Sequence, residues 1–346
     1  MPARVLHFDA FAPRPGMGNP AGVVLDSDGL SDTTMQAIAR AVGFNETAFV
    51  LPSTRADLRL RYFTPGHEVD LCGHATVGAF VALHQHGRLP GGGFPRRLTL
   101  ETGAGLLPVT VEPGGAGEPV VIMAQAPAQF ESFAGARAAL ARVLGIASDD
   151  LRDDLPILYG STGLWTLVVP VQGLGAMRRM KPRTADFPSV LTERPGASIH
   201  PFCLETIHRD TDLHARHFSS PRSGTVEDPV TGPASGVLGA YHLEFITDDA
   251  PAPLVVEQGQ EIGRDGRVRV WVERRDGRCR VRVGAPAASC TSSRSGGACL
   301  KPRSRSAAPA RRTSPTSCAC SRTIRSAPRG SVTRARSPTP TRGVHG

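Results

Sequence analysis

No apolar run in this 346-residue chain approaches the roughly eighteen residues that a membrane-spanning helix needs. The opening Met1-Pro-Ala-Arg-Val-Leu-His-Phe-Asp9 lacks the basic stretch followed by a long apolar stretch of a secretory leader. These absences predict a cytoplasmic protein with no membrane partner. No Gly-x-Gly-x-x-Gly follows a strand-like run, and neither the Gly-Lys-Ser/Thr of a phosphate loop nor a Gly-x-Ser-x-Gly elbow occurs. Cysteine is sparse in the first 284 residues, where only Cys72, Cys203 and Cys279 occur. That scatter predicts reduced thiols, not a disulfide framework. His84 and His86 stand two apart on an expected helix, so they diverge and make no metal pair. No metal site is expected.

Acidic residues are missing altogether from 285 to 346, where 12 Lys or Arg occur. The first 284 residues therefore hold 40 − 12 = 28 basic side chains against all 31 acidic ones, a balance of −3. The overall charge of +9 belongs to the tail. That tail also lacks Phe, Trp and Tyr, and such a segment cannot bury enough apolar surface to offset its ordering entropy. Residues 285–346 are expected to be a disordered Arg/Ser/Pro/Ala-rich segment. Three origins are open, in this order: a shifted reading frame, an inert linker, and an arm that binds nucleic acid through phosphates alone. In the frame reading, Ala288-Ser-Cys-Thr-Ser-Ser293 read from the third base of Ala288 spells five residues fit for a buried strand. That reading implies a missing closing strand and an unpaired sheet edge.

The remaining residues alternate strand-like runs with short helical stretches. Residues 5–11 and 22–25 are apolar and bracket a Pro/Gly-rich loop at 13–20. Residues 30–43 read as a helix, with Ser31 as N-cap, Met35, Ile38, Ala39 and Val42 as its apolar stripe, and Gly43 at the C-cap. Strands are expected over 45–51, 58–63, 97–101, 107–111, 120–123 and 164–171, and a surface helix over 134–144. Segments 74–86 and 234–245 are apolar or Ala around most of their circumference, which predicts core helices. The mixed-charge stretch 178–194 suggests no chemistry, and His208, His214 and His217 read as solvent-facing.

The two core helices belong to a repeat. Arg61-Tyr-Phe-Thr-Pro65 leads to Asp70-Leu-Cys-Gly-His-Ala-Thr-Val-Gly-Ala79, and Arg216-His-Phe-Ser-Ser-Pro221 leads to Glu227-Asp-Pro-Val-Thr-Gly-Pro-Ala-Ser-Gly236. Each copy has Arg-x-Phe-Ser/Thr, a loop, an acidic residue, a Gly turn and a small-residue helix. The spacing from Arg to Gly is four residues longer in the second copy, 216 to 232 against 61 to 73. Two related halves are expected, 1–116 and 117–284, divided at the Gly/Pro stretch 113–119.

Gly18-Asn-Pro-Ala-Gly-Val-Val24, Asn45-Glu-Thr-Ala-Phe49, Asp70-Leu-Cys-Gly-His-Ala-Thr76 and Glu227-Asp-Pro-Val-Thr-Gly232 together resemble the phenazine-biosynthesis PhzF-like family of the diaminopimelate-epimerase-like superfamily. The resemblance runs from about residue 5 to 284. It implies an α+β fold of two pseudo-symmetric halves, each a mixed sheet curled around a central helix, with the active site in the cleft between them. It also implies a homodimer and a cofactor-independent isomerase or epimerase that moves a proton on carbon of a small carboxylated metabolite. A silent small-molecule-binding protein of the same fold is the alternative.

That chemistry creates an enediolate-like anion, which two buried helix N-termini at Gly73 and Gly232 would stabilise through backbone N–H donors. By motif position Glu46 is the general acid/base, with a pKa expected to rise by desolvation between Phe44 and Phe49. On pattern alone it reads as an exposed strand-start carboxylate. His74 is a proton relay or substrate contact in the family reading and a helix-start hydrogen-bonder otherwise. Asp228 is the second carboxylate, or a cap for the turn before Gly232. Glu227 reads as structural, paired with Arg216. Cys72 holds the position of a catalytic cysteine in related racemases, but its partner position carries Asp228 and Pro229, so it reads as a small buried neighbour of the site that contacts substrate, with a Cys72/Asp228 pair as the alternative. Asn19 and Thr231 complete the expected substrate contacts. Pro233 departs from the pattern, since members with the phenazine-pathway activity carry Ser there, and proline offers neither hydroxyl nor N–H.

Overall fold

The computed structural model describes residues 3–290 apart from positions 222, 224, 250 and 251. The first series of strands is β1 (Leu6–Ala10), β2 (Asn19–Val24), β3 (Glu46–Leu51), β4 (Leu58–Phe63), β5 (Glu68–Val69), β6 (Arg96–Thr102), β7 (Gly105–Glu112) and β8 (Val120–Ala124). Helix α1 (Asp32–Val42) and helix α2 (Gly73–Gln85) interrupt it. The second series is β9 (Gln129–Ser132), β10 (Leu158–Ser161), β11 (Trp165–Pro170), β12 (Ser198–Cys203), β13 (Leu213–Ala215), β14 (Leu254–Gln258), β15 (Gly266–Arg275) and β16 (Arg278–Ala285). Its helices are α3 (Arg137–Leu144), α4 (Leu174–Arg179), α5 (Phe187–Val190) and α6 (Gly232–Phe245), and the short β17 (Ala287–Ser289) comes last.

Strand pairing carries the symmetry. Going out from β17, the neighbours are β1, β2, β3, β4, β6, β7 and β8, joined antiparallel, antiparallel, parallel, antiparallel, parallel, antiparallel and antiparallel. Going out from β9, the neighbours β10 to β16 follow in sequence with the same seven senses in the same order. The two series join where β8 pairs antiparallel with β16. The change of series falls between Ala124 and Gln129, so β8 itself belongs with β7.

Each series wraps one apolar helix. In α2 every residue from Ala75 to Leu83 is buried, and in α6 so are Gly232 and every residue from Ala234 to Leu243. No face is left for water, as their sequence implies. Helix α6 lies so close to β15 that a Cβ on Gly239 would stand 2.5 Å from Val270 Cγ1. Outside this core, α1 covers β2, β3 and β4 with Met35 and Ala39. It is capped by Ser31 Oγ, which accepts from Thr34 N, and ends at Gly43 with φ 74°. No helix among the described residues is long and apolar enough to cross a membrane.

One expectation is corrected at the carboxy-terminal end. Residues 285–290, assigned by composition to the tail, continue the sheet. Ala285 ends β16, and β17 closes the edge of the first series by pairing with β1, through Phe8↔Ser289, Asp9↔Ala288 and Ala10↔Ala287. Ala285 and Ala287 are buried because a small side chain is what this strand needs beside α2, and a composition averaged over the whole tail hides those few residues. Strand β1 therefore has a partner along residues 8–10 among the described residues. The rest of the tail reading lies outside the described residues.

Candidate active site

Helix α2 starts where Cys72 stands as N-cap, and helix α6 starts behind Thr231. Neither start has a side-chain cap, in contrast to α1. Both open into one cavity of about 1060 Å³. Uncapped first-turn N–H groups give that cavity two positive ends. The turn at Cys72 is fixed from below: Tyr62 Oη donates to Thr76 Oγ1 at 2.6 Å, and Thr76 Oγ1 donates to the Cys72 carbonyl at 2.7 Å.

Glu46, the first residue of β3, reaches the same opening. Its Oε2 lies 3.2 Å from His74 Nε2, and Cys72 Sγ lies 3.4 Å from His74 Nδ1. The Glu46–His74 contact is close but poorly aligned, and Oε2 is a buried oxygen without a hydrogen-bond partner. Burial pushes the Glu46 carboxyl up, yet the His74 imidazole and the Cys72 thiol outweigh it and hold the group below the usual range. The sequence-based expectation was a raised value between two Phe rings. Phe49 instead packs into the α1 core, while Phe44 stacks on His7, leaving the histidine as the dominant neighbour. Burial would lower His74, but Cys72 and Glu46 raise it well above an ordinary imidazole. Burial pushes the Cys72 thiol up.

Asp228 faces this trio from the turn before α6. Burial, reinforced by the Glu46 charge, pushes its carboxyl up to about 7 against the pull of His74 and of the Asn19 amide. Two amides lock the turn. Asn19 Nδ2 donates to Asp228 Oδ1 at 2.8 Å and to the Val230 carbonyl at 3.0 Å. Gln258, fully buried at the end of β14, donates to the Asp228 carbonyl at 2.8 Å and accepts from Thr231 N at 3.4 Å.

Glu46, Cys72, Gly73, His74, Asp228, Thr231 and Gly232 thus line one cavity. Asn19 does not line it and supports Asp228 from behind. Glu227 pairs with Arg216 at 2.7 Å, both buried, and Arg216 Nη1 also donates to the Met177 carbonyl at 2.6 Å.

The far wall was not foreseen. It contains Trp165, Glu193 and Arg194, with the Arg194 guanidinium 3.5 Å from the Trp165 ring centre. Segment 178–194 therefore does reach the site. Also lining it are Ser219, Thr225 and His217. His217 Nδ1 meets His200 Nδ1 at 3.3 Å, and burial lowers His217 to about 4, so a neutral imidazole faces the cavity. His214 is buried and His217 half-buried on the cavity wall, which corrects their reading as solvent-facing: His214 lies between Glu257, at 2.8 Å, and Glu261, at 2.9 Å. The four extra residues of the second repeat copy were the available signal, since the hydroxyl-rich loop after Arg216 accounts for that length.

Two groups among the described residues have ligand atoms close enough to share an ion: Glu46, Cys72 and His74, and, away from the cavity, His7, Asp9 and Cys290.

A family model described as phenazine biosynthesis-like protein matches residues 8–292. The chain is 48% identical to the uncharacterized isomerase YfhB of Bacillus subtilis, over 81% of this chain and 94% of that protein. It is 36% identical to the uncharacterized isomerase YddE of Escherichia coli K12, over 80% and 92%. Its backbone resembles the crystal structure of a Bacillus anthracis phenazine biosynthesis protein of the PhzF family, with TM-score 0.79 and 50% identity over 83% of this chain and 96% of that one.

Proposed function

Because the chain belongs to the phenazine biosynthesis-like family, whose curated relatives carry the name isomerase, we propose that it is an isomerase that moves a proton on carbon of a small carboxylated metabolite. The observation that carries this reading is the convergence of Glu46, His74 and Asp228 with the uncapped starts of α2 and α6 on one cavity.

The substrate carboxylate sits at the helix starts, where backbone N–H groups accept its charge. The ionised Glu46 takes a proton from the adjacent carbon, and the C–H electron pair moves into the carboxylate to form an enediolate. The same N–H donors hold the added charge more strongly in that state than in the ground state. Asp228, whose carboxyl is pushed up to about 7, is protonated in a substantial fraction of molecules at neutral pH, and in that form returns a proton to carbon. The His74 imidazole, 3.2 Å from Glu46 Oε2, keeps the carboxylate ionised by its charge. One proton leaves carbon and one arrives, so the step balances without a redox partner. In this reading the chain's own residues supply the base, the acid and the anion site, and the reaction takes no cofactor.

Support for a carboxylated substrate comes from the pair of positive helix ends. The test is a panel of small carboxylic acids bearing an acidic C–H, incubated with the protein in deuterated water and read by mass spectrometry. Label entering at the carbon next to the carboxylate is the expected result; isomerisation of a panel acid with no solvent label would overturn the reading.

A further inference from the structure

We propose that His217 is a further substrate-binding residue, a neutral imidazole held so that its Nε2–H donates to an uncharged acceptor on the substrate. Resting on the function proposed above, this narrows the substrate to carboxylic acids that carry a hydroxyl or carbonyl oxygen besides the carboxylate.

The ring is held by His200. His217 Nδ1 lies 3.3 Å from Nδ1 of His200, a residue with no exposed surface. Two Nδ1 atoms in contact share a single proton, so one ring donates and the other accepts. His200 Nε2 is buried and has no hydrogen-bond partner. A proton there would be a stranded donor, and buried N–H donors are orphaned more rarely than acceptors. The Arg216 backbone nearby also favours a proton on the His200 ring. His200 therefore carries its proton on Nδ1, and His217 Nδ1 accepts it. Burial keeps both rings neutral, so His217 holds its own proton on Nε2. With Nδ1 turned to His200, the Nε2 edge is the one left for the cavity.

The surroundings select the acceptor. The His217 carbonyl accepts from Asp228 N at 2.9 Å, which sets the imidazole in backbone register with the acid that returns the proton. Ser219 and Thr225 continue the wall, their hydroxyls 3.1 Å apart. Among the described residues of that wall, the charged groups already have partners. Arg194 donates to both Glu131 oxygens, at 2.6 and 2.8 Å. Glu193 accepts from Ala134 N at 3.0 Å and from Tyr159 Oη at 3.1 Å. Together Glu131, Glu193 and Arg194 leave this side net negative, which disfavours a second carboxylate. A neutral N–H beside hydroxyls suits an oxygen without charge.

Histidine ¹⁵N NMR of the full-length protein at neutral pH, with the His217 ring assigned from its loss in His217→Gln, is expected to show a neutral imidazole protonated at Nε2. An imidazolium, or a proton on Nδ1, overturns the proposal. Calorimetry then compares the positional isomers of hydroxypentanoate with pentanoate and glutarate. One isomer is expected to bind about two- to tenfold more tightly than pentanoate, the range of one neutral hydrogen bond, and more tightly than glutarate. His217→Ala should lose this preference, and His217→Gln, whose amide keeps a donor near the same place, should retain it. No isomer preferred over pentanoate, glutarate bound most tightly, or a preference undiminished in His217→Ala overturns the assignment. Binding is read here without turnover, so the two readings fail separately. Isomerisation of the preferred acid with no solvent deuterium entering it would contradict proton transfer and leave His217 standing as a donor.

Discussion

Asn19 and Asp228 are 209 residues apart in sequence and 2.8 Å apart in space. The bond ties the first residue of β2 to the turn before α6, so one amide from the first repeat half sets a carboxylate of the second. It acts together with Gln258, which holds the same turn from β14. Asp228 is thereby held by neutral amides, and burial outweighs the pull of the His74 charge on its carboxyl.

Asn19→Ala removes the donor from two acceptors, Asp228 Oδ1 and the Val230 carbonyl. Leaving a buried acceptor unpaired costs about 1–3 kcal/mol. The variant should melt several degrees lower and should exchange substrate protons more slowly. A melting temperature equal to wild type would mean that the turn stands without the amide.

The Arg216–Glu227 pair is a structural element next to the site. Both side chains are buried, and each single substitution strands a charge. Glu227→Leu or Arg216→Met alone should cost about 3–5 kcal/mol, while the double variant should recover much of that loss. Denaturant unfolding of the three variants checks this, and equal losses in singles and double would refute it.

His214 lies between Glu257 and Glu261, with Thr211 and the backbone N–H of Ile207 and His208 also on Glu257 and the Arg216 charge acting on Glu261. Against the penalty of burial, these contacts lower Glu257 to about 2 from a usual 4.5, so its contribution is present above about pH 4.5 and is lost as pH falls toward 2. Burial opposes the His214 shift, but the two carboxylates raise it above 6.5, so its contribution is full below about 6.5 and is lost as pH climbs through the raised value. His214→Ala should therefore destabilise most between about pH 4.5 and 6.5, and its deficit should shrink toward pH 2. Melting temperature against pH for both proteins reads this directly. A deficit constant across that range would be incompatible with the network.

Gly239→Ala puts a methyl 2.5 Å from Val270 Cγ1 and 2.9 Å from Val272 Cγ2. Overpacking of this kind costs about 1–3 kcal/mol, more than the ~1 kcal/mol that alanine contributes to a helix. A melting temperature at or above wild type would show that α6 can lift off β15 without cost.

Much of this was legible in the residues. Ser31 and Gly43 marked the ends of α1 because capping is a local property. Apolar or Ala side chains around most of the circumference of 74–86 and 234–245 marked the two core helices, since a helix without a polar face is buried. The carboxylates of the candidate site were named through the family resemblance of their motifs, since on pattern alone Glu46 reads as an exposed strand-start residue. The protonation pattern did not. Whether Glu46 is pushed up or down depends on which way Phe49 points and on how near His74 comes, and both are tertiary facts. Trp165 and Arg194 were invisible for the same reason, as nothing local distinguishes a surface pair from a cavity wall. Strand β17 was hidden because small residues suit a tight edge beside α2 as readily as a solvated tail.

The central claim is that Glu46 takes the proton from carbon. The direct measurement is the initial rate of solvent-deuterium incorporation into a turned-over acid by wild type and by Glu46→Gln under identical conditions. Loss of a positioned acid/base predicts a rate lower by about 10²- to 10⁴-fold in the variant. Incorporation at the wild-type rate by a folded Glu46→Gln protein would contradict the account.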